Sequence, residues 1–344
     1  MTDKNLNRRQ FLAACGGISA TAALAACGGQ GDASGDASGD AEDLTHVSFV
    51  LDYTPNTNHT GIYVALDQGY FAEEGLEVEV VQPPEDGADA LIGAGGAQLG
   101  ISYQDYIANN LASDQPMPYS AVAAVIQHNT SGIMSRAEDG ITHPAAMEGH
   151  TYATWNMPVE QATVQHVVEA DGGDWSQVEL VPYEVDDEVS GLRANMFDTV
   201  WVYEAWAVQN AVVQDFPYNY FSFISVDDVF DYYTPVIAAN DDFAAENPDA
   251  VRAFLRAVKR GYEFAVENPD EAADILCAQV PELDSDLVHQ SQSYLAEKYI
   301  DDAESWGVID PERWAAFYQW LNDNQLVENQ LDVNAGFTMD YLEQ

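Results

Sequence analysis

Flat rings, amides and carboxylates gather in five short segments of this 344-residue chain: Asp52-Tyr53-Thr54-Pro55-Asn56-Thr57-Asn58-His59-Thr60, Ser102-Tyr103-Gln104-Asp105, Gln127-His128-Asn129-Thr130-Ser131, Trp155-Asn156-Met157 and Trp201-Val202-Tyr203-Glu204. Rings stack on the face of a planar heterocycle, and amides and carboxylates exchange hydrogen bonds with its edge. Asn, Thr and Pro are also ordinary turn residues, so no single segment points to a ligand. Their shared position does, because each directly follows a predicted strand. In open parallel sheets, ligands bind beyond the carboxyl ends of the strands.

The elements that must position these segments alternate. Val47, Phe49 and Leu51 read as a strand, 61–69 as a short helix, Val78 and Val80 as a second strand, and 88–92 as a second helix. Further strands are expected at 97–101, 119–126, 150–154, 178–182, 197–202 and 221–224, with helices at 159–170 and 204–214. That order predicts an α/β chain with mostly parallel sheets. From about Phe243 the pattern is helical only, with Asn247-Pro248, Asn268-Pro269 and Asp310-Pro311 each placing a cap before a first-turn proline. Trp314, Phe317, Tyr318 and Leu321 form a stripe expected to pack in a core.

Charge and motifs remove whole classes of function. Asp and Glu number 58 against 11 Lys and Arg, a net charge of −47, which repels phosphate backbones and argues against a nucleic-acid partner. The 47% hydrophobic content supports a folded core, so the acidic excess reads as a solvated surface suited to molar salt, where screening shortens to about 3 Å. The histidines at 46, 59, 128, 143, 150, 166 and 289 are scattered without metal-ligand spacing, and no GxSxG or HExxH nucleophile or metalloprotease motif occurs. Gly93-Ala94-Gly95-Gly96 precedes a strand and reads as a turn. Cys277 reads as a small buried hydrophobe.

At the amino end, Asn7-Arg8-Arg9-Gln10-Phe11-Leu12 opens an Ala/Gly-rich stretch closing on Leu24-Ala25-Ala26-Cys27-Gly28. This resembles a twin-arginine export signal with a lipoprotein box, and Cys27 is the expected lipidation site, since Cys15 lies too close to the arginines. Residues 1–27 are thus expected to be signal, and the Gly/Ser/Asp-rich 28–44 a solvated tether. The expected location is outside the cell, held by lipid to the outer face of the cytoplasmic membrane; no later stretch approaches 18 consecutive apolar residues.

The strings LDYTPNTNHTGIYVALDQGYFAEEGLEVEVVQP, GISYQD, AAVIQHNTSGI, DYYTPVIAAN and NPDAVRAFLRAVKRGYEFAVENPDEAADIL occur in that order. From about Val47 to the final FTMDYL, the chain resembles solute-binding proteins of ABC importers in the thiamine pyrimidine-precursor branch. That group shares its domain with the fungal pyrimidine synthase, and this chain has the acidic lipoprotein character of a haloarchaeal member. The resemblance implies a two-lobed type II periplasmic-binding-protein fold with a hinge, an inter-lobe cleft and C-terminal helices. Lobe 1 would hold 45–133 and 235–344 and lobe 2 would hold 134–234, with crossings near Ile133 and near Tyr233-Thr234-Pro235.

The implied ligand is 4-amino-5-aminomethyl-2-methylpyrimidine, free or N-formylated, with riboflavin or another small heterocycle as the alternative. Tyr53 with Trp201 or Tyr203 would stack, Glu204 or Asp52 would accept from the exocyclic amine, and Asn58, His59, Tyr103 and Gln127 would bond its edge. Ser102, Asn129 and Trp155 complete the expected lining, and His59 has a competing reading as a loop brace. An alkylsulfonate would want an arginine fork, for which only Arg136 and Arg193 stand mid-chain. The synthase's cofactor lysine and donor histidine follow the strand ending here at Ile101, where Ser102 and Tyr106 stand instead. No lysine lies between Lys4 and Lys259, and Asp231-Tyr232-Tyr233-Thr234 replaces the synthase's cysteine cluster. The expectation is therefore a monomeric non-enzyme without cofactor or metal, served by two permease subunits and an ATPase.

Overall fold

Ten short strands divide between two five-stranded sheets in the computed structural model, which describes residues 44–185 and 187–343. The signal, Cys27 and nearly all of the tether lie outside those residues. In chain order the strands are β1 (Thr45–Val50), β2 (Leu76–Val81), β3 (Leu99–Ser102), β4 (Tyr119–Ala124), β5 (Ser131–Arg136), β6 (Thr151–Thr154), β7 (Glu179–Pro182), β8 (Thr199–Tyr203), β9 (Tyr218–Ser222) and β10 (Val236–Asn240). The first sheet runs β2-β1-β3-β10-β4 and the second β7-β6-β8-β5-β9. Both therefore share one plan, three strands in βαβ order and a fourth place filled by a strand from elsewhere in the chain.

That fourth strand corrects the expectation of mostly parallel sheets. β1 with β2 and β3, and β6 with β7 and β8, pair parallel. Every pair that contains β5 or β10 is antiparallel. Neither strand was expected from the pattern, and with all eleven of their residues buried neither shows the period-two alternation of a strand with one wet face.

The same strands relocate the first crossing. The chain leaves the first sheet after Ala124 and enters the second at Ser131, so Ile133 already sits mid-strand, opposite Trp201 and Phe221. It returns between Ser222 and Val236, around the expected 233–235. β9 begins three residues earlier than expected, and 223–225 is a 3-10 turn. The expected helix 204–214 starts as a single π turn, Glu204–Val208, before becoming α-helical at Gln209–Val213.

Helices cover the first sheet through one close crossing. Helix Thr60–Asp67 meets helix Pro248–Glu267 at Gly61 and Gly261, where a Cβ on Gly61 would lie 2.4 Å from the Tyr262 ring and one on Gly261 2.0 Å from the Gly61 carbonyl oxygen. Only glycine permits that approach. On the sheet side, Phe254 stacks on Phe49 and Phe71 at centroid separations of 5.4 and 5.2 Å. Helices begin at Pro248, Pro269 and Pro311 as expected. Asp310 caps the last by accepting from the Glu312 and Arg313 amides, whereas Asn247 and Asn268 make no such cap bond. Trp314, Phe317, Tyr318 and Leu321 are fully buried. Among the described residues, no helix is long and apolar enough to cross a membrane.

Candidate functional site

A cavity of about 580 Å³ lies where the strand ends of the two sheets face each other. From the first sheet come Asp52 and Tyr53 after β1, Asn58 on the 3-10 turn Thr57–His59, Asp89 in the first turn of helix Ala88–Gly93, and Tyr103 and Tyr106 after β3. From the second come Trp155 after β6, Tyr183 and Glu188 beyond β7, Trp201 and Tyr203 on β8, and Trp206 on the π turn. Thr234 and Pro235 close it on the returning strand connection. Tyr53 and Tyr106 from the first sheet and Trp155 from the second are 67%, 42% and 40% exposed, so uncovered rings stand on both walls of the cavity.

Seven residues singled out from the sequence line this cavity: Asp52, Tyr53, Asn58, Tyr103, Trp155, Trp201 and Tyr203. The other five do not. His59 is fully buried behind Asp52 and braces the loop: the Asn56 amide donates to its Nδ1 at 3.1 Å, which puts the ring proton on Nε2, 2.7 Å from Asp52 Oδ1. Ser102 donates to Asp89 at 2.5 Å. Gln127 donates to the Val308 carbonyl at 3.0 Å. Asn129 holds the first crossing, its side-chain amide donating to the Phe230 carbonyl and its oxygen accepting from the Ser131 amide. Glu204 turns toward Tyr294, whose hydroxyl donates to it at 2.9 Å.

The Gln127-His128-Asn129 segment is thus a clamp on the two crossings. His128 Nδ1 and Asp231 Oδ2 are 2.7 Å apart, the Asn129 amide donates to Asp231 Oδ1, and Arg313 donates to the Gln127 carbonyl while lying 4.6 Å over the Tyr233 ring. His128 Nε2 also lies 3.1 Å from Asp302.

Carboxylates set the electrostatics of the cavity. Burial works against charge on Asp52, but hydrogen bonds from His59 and Tyr103 outweigh it and hold this carboxyl below its ordinary range. Asp89 goes the other way: burial raises it beyond what the Ser102 and Tyr119 hydroxyls restore, and the charge of Asp52 adds to the rise. Glu188, 3.0 Å from the Tyr183 hydroxyl that donates to it, is likewise raised by burial and by neighbouring Asp187. Close by, in the first turn of helix Gln104–Leu111, burial pushes Asp105 up to about 7 despite two backbone amides that favour its charge. Burial and the nearby carboxylates raise Tyr106 to about 12.

Asp89 and Glu188 escape a reading confined to segments that directly follow strands, whereas Tyr183 stands directly after β7 and carries that signal. Asp89 and Glu188 lie in the first turns of the next helices, where an acidic residue also satisfies the helix dipole and so looks structural. Glu160, also unforeseen, builds the opposite aromatic wall. It is 4% exposed and accepts from the Tyr152 and Thr154 hydroxyls and the Trp155 and Met157 amides, which holds Trp155 edge-on to Tyr183 and 6.0 Å from Trp201.

Among the described residues, no Lys, Arg or His side chain lines the cavity. Arg136 is committed to Asp139, Asp198 and the carbonyls of Leu192 and Phe197, and Arg193 lies over the Phe216 ring. Three lining residues keep a buried polar atom without a partner: Trp201 its indole N–H, Asn58 its Oδ1 and Thr234 its Oγ1.

Three comparisons bear on this site. The family model described as NMT1/THI5 like matches residues 56–272. The chain is 32% identical over 306 residues to a formylaminopyrimidine-binding protein of Halalkalibacterium halodurans, covering 86% of this chain and 91% of that one. It is 23% identical over 256 residues to a 4-amino-5-hydroxymethyl-2-methylpyrimidine phosphate synthase of Saccharomyces cerevisiae, covering 71% and 74%. Among solved structures, the periplasmic aliphatic sulphonate binding protein of Escherichia coli superposes with a TM-score of 0.65 at 13% identity, covering 84% of this chain and 90% of that one. The two sheets and their helices therefore make the α/β fold of a periplasmic binding protein.

Proposed function

The chain belongs to the NMT1/THI5-like family, and we propose that it is the extracytoplasmic solute-binding protein of an ABC importer, capturing an aminopyrimidine precursor of thiamine. The observation that carries this reading is the cleft itself: aromatic side chains from both sheets, carboxylates among them and, among the described residues, no cationic side chain on its lining. Trp155, Trp201 and Tyr106 stack on the ring, and Asp52, in place of Glu204, accepts from its amino groups. The relative that binds formylaminopyrimidine supports the same ligand class, free or formylated.

The synthase relatives and the sulphonate binder mark what the cleft does not suit. Pyridoxal phosphate needs a lysine for its aldehyde and cations or free amides for its phosphate. Lys259 and Lys298 instead neighbour Glu263 and Asp301, and neither lines the cavity, so the cofactor does not fit these residues. A sulfonate likewise finds no arginine there. The reading further proposes a non-catalytic role, permease and ATPase partners, a monomeric body of two lobes hinged at the crossings, and export with lipid attachment at Cys27.

Titration of the full chain in molar salt with hydroxymethylpyrimidine, formylaminopyrimidine, thiamine and riboflavin tests the ligand, by calorimetry and by the melting-point rise that a native-state ligand produces. Saturable one-to-one binding of the pyrimidines is expected. A response to riboflavin alone would overturn the ligand and keep the importer role.

A further inference from the structure

Helix Ser285–Leu295 contributes no residue to the cavity lining, yet it packs on both sides of the cavity. It meets the Thr57–His59 turn after β1 and, after β8, the π turn Glu204–Val208 and helix Gln209–Val213. Three of its side chains reach the π turn. Tyr294 donates to Glu204 Oε2 at 2.9 Å, and Gln290 Nε2 donates at 3.0 Å to Gln209, whose own amide donates to the Glu204 carbonyl at 3.1 Å. Ser291 is fully buried and donates its one proton to the Ala205 carbonyl, which can only accept. The Thr57 hydroxyl, 2.6 Å from Ser291 Oγ, must then be the donor to Ser291. A directed chain of hydrogen bonds therefore runs from Thr57 through Ser291 to Ala205, joining from behind a lining residue on each side of the cavity. The Thr57 end is anchored in turn: Tyr299 donates to the Thr57 carbonyl at 2.7 Å and Tyr262 to the Asn58 carbonyl at 2.6 Å. None of these residues belongs to either crossing.

Resting on the two-lobed, hinged receptor proposed above, we propose that Ser291 is the bolt of a kinetic gate. It fastens the Ala205–Trp206 side of the cleft to the Thr57–Asn58 side, and so sets how fast cargo enters and leaves without setting how tightly it binds. Every atom of the tie belongs to the protein, and Ser291 itself does not reach the cavity, so the tie forms alike with the cleft empty or filled. Its contribution cancels from the affinity, which compares those two shut forms. It remains in both rates, because cargo passes only while the lobes are apart. Without the Ser291 hydroxyl, the shut cleft holds a buried Ala205 carbonyl that has lost its donor and a buried Thr57 hydroxyl that has lost its acceptor. Once the cleft opens, water reaches both groups and the loss costs little. The substitution therefore penalises the shut form alone.

Two measurements on the full chain in molar potassium chloride test the gate. Stopped-flow fluorescence of the lining tryptophans at 155, 201 and 206 reads entry and release of hydroxymethylpyrimidine and formylaminopyrimidine separately. Hydrogen exchange of the chain without ligand reads the tie itself. Ser291→Ala is expected to raise both rate constants about tenfold, the fold-change of one buried group left unpaired, with Kd within about twofold of the parent. Exchange should rise together at 57–60 and at 204–209, segments far apart in the chain. Tyr294→Phe keeps the packed ring and should move the same readouts in the same direction by about threefold, and thermal melts show that each variant is folded. Unchanged rates, or a loss of affinity with entry unchanged, overturns the gate. So does an exchange response confined to 285–295, whether or not either probe binds. A parent that binds neither pyrimidine overturns the ligand reading instead, and the exchange measurement still decides the gate.

Discussion

Asp105 turns the electrostatics of the site into a measurable slope. Its side chain is ordinarily acidic at 3.8 but stands at about 7 in the folded chain, because burial penalises the carboxylate more than the two backbone amides favour it. A folded-state value above the unfolded one means that the group is best tolerated when protonated. Its cost therefore begins near pH 4, grows as pH rises, and levels off above about 7. The gap of about three units corresponds to about 4 kcal/mol at the plateau, at 1.36 kcal/mol per unit. Asp105→Asn keeps the oxygen that accepts from the amides and removes the titration. Its stability advantage should then grow by about 3 kcal/mol between pH 5 and pH 8.5, or about 4 °C in melting temperature for a body of roughly 300 residues. Paired thermal melts of parent and variant in molar potassium chloride, at both pH values, measure that growth, and the pairing cancels the acid response they share. An advantage that is constant, or that shrinks with rising pH, would refute the reasoning.

Other substitutions test separate parts of the structure. Gly61→Ala forces a methyl into the Tyr262 ring and should cost about 1–3 kcal/mol in urea unfolding, and Gly261→Ala, which meets backbone, should cost more. Tyr103→Phe removes a donor from Asp52, so the acid limb of ligand binding should move to higher pH, because a carboxyl held low by donors rises when one is lost. Glu160→Gln sets an amide against donors that now point at a carboxylate; it should lower stability by about 3 kcal/mol and, through the freed Trp155, weaken the pyrimidine in the same titration.

Several parts of the fold were legible from local pattern. β1, β2 and the helices opening on Pro248, Pro269 and Pro311 announce themselves through alternation or through Asn-Pro and Asp-Pro pairs. β5 and β10 have neither, and Ser-Gly-Ile-Met-Ser-Arg and Val-Ile-Ala-Ala-Asn carry few β-branched residues; tertiary burial alone makes them strands. In the site, segments following β1, β3, β6 and β8 were readable because strand ends converge in this class of sheet. Gln127 and Asn129 share the composition of a ligand loop yet serve the crossings. A side chain's direction there depends on Asp231 and Arg313, about a hundred or more residues away, which no local pattern reports.

A cavity wall of carboxylates without a resident cation behaves as an ion exchanger. In concentrated salt a potassium or sodium ion would compete for that potential, and a cargo bearing positive charge would enter by displacing it, so that its uptake would release salt. Affinity for such a cargo would then decline as salt rises, while the same salt screens the self-repulsion of a chain with net charge −47. Binding and stability respond to the medium with opposite signs, and the useful range is the band where both suffice. Such a receptor would grip hardest after dilution, at the moment its fold is weakest.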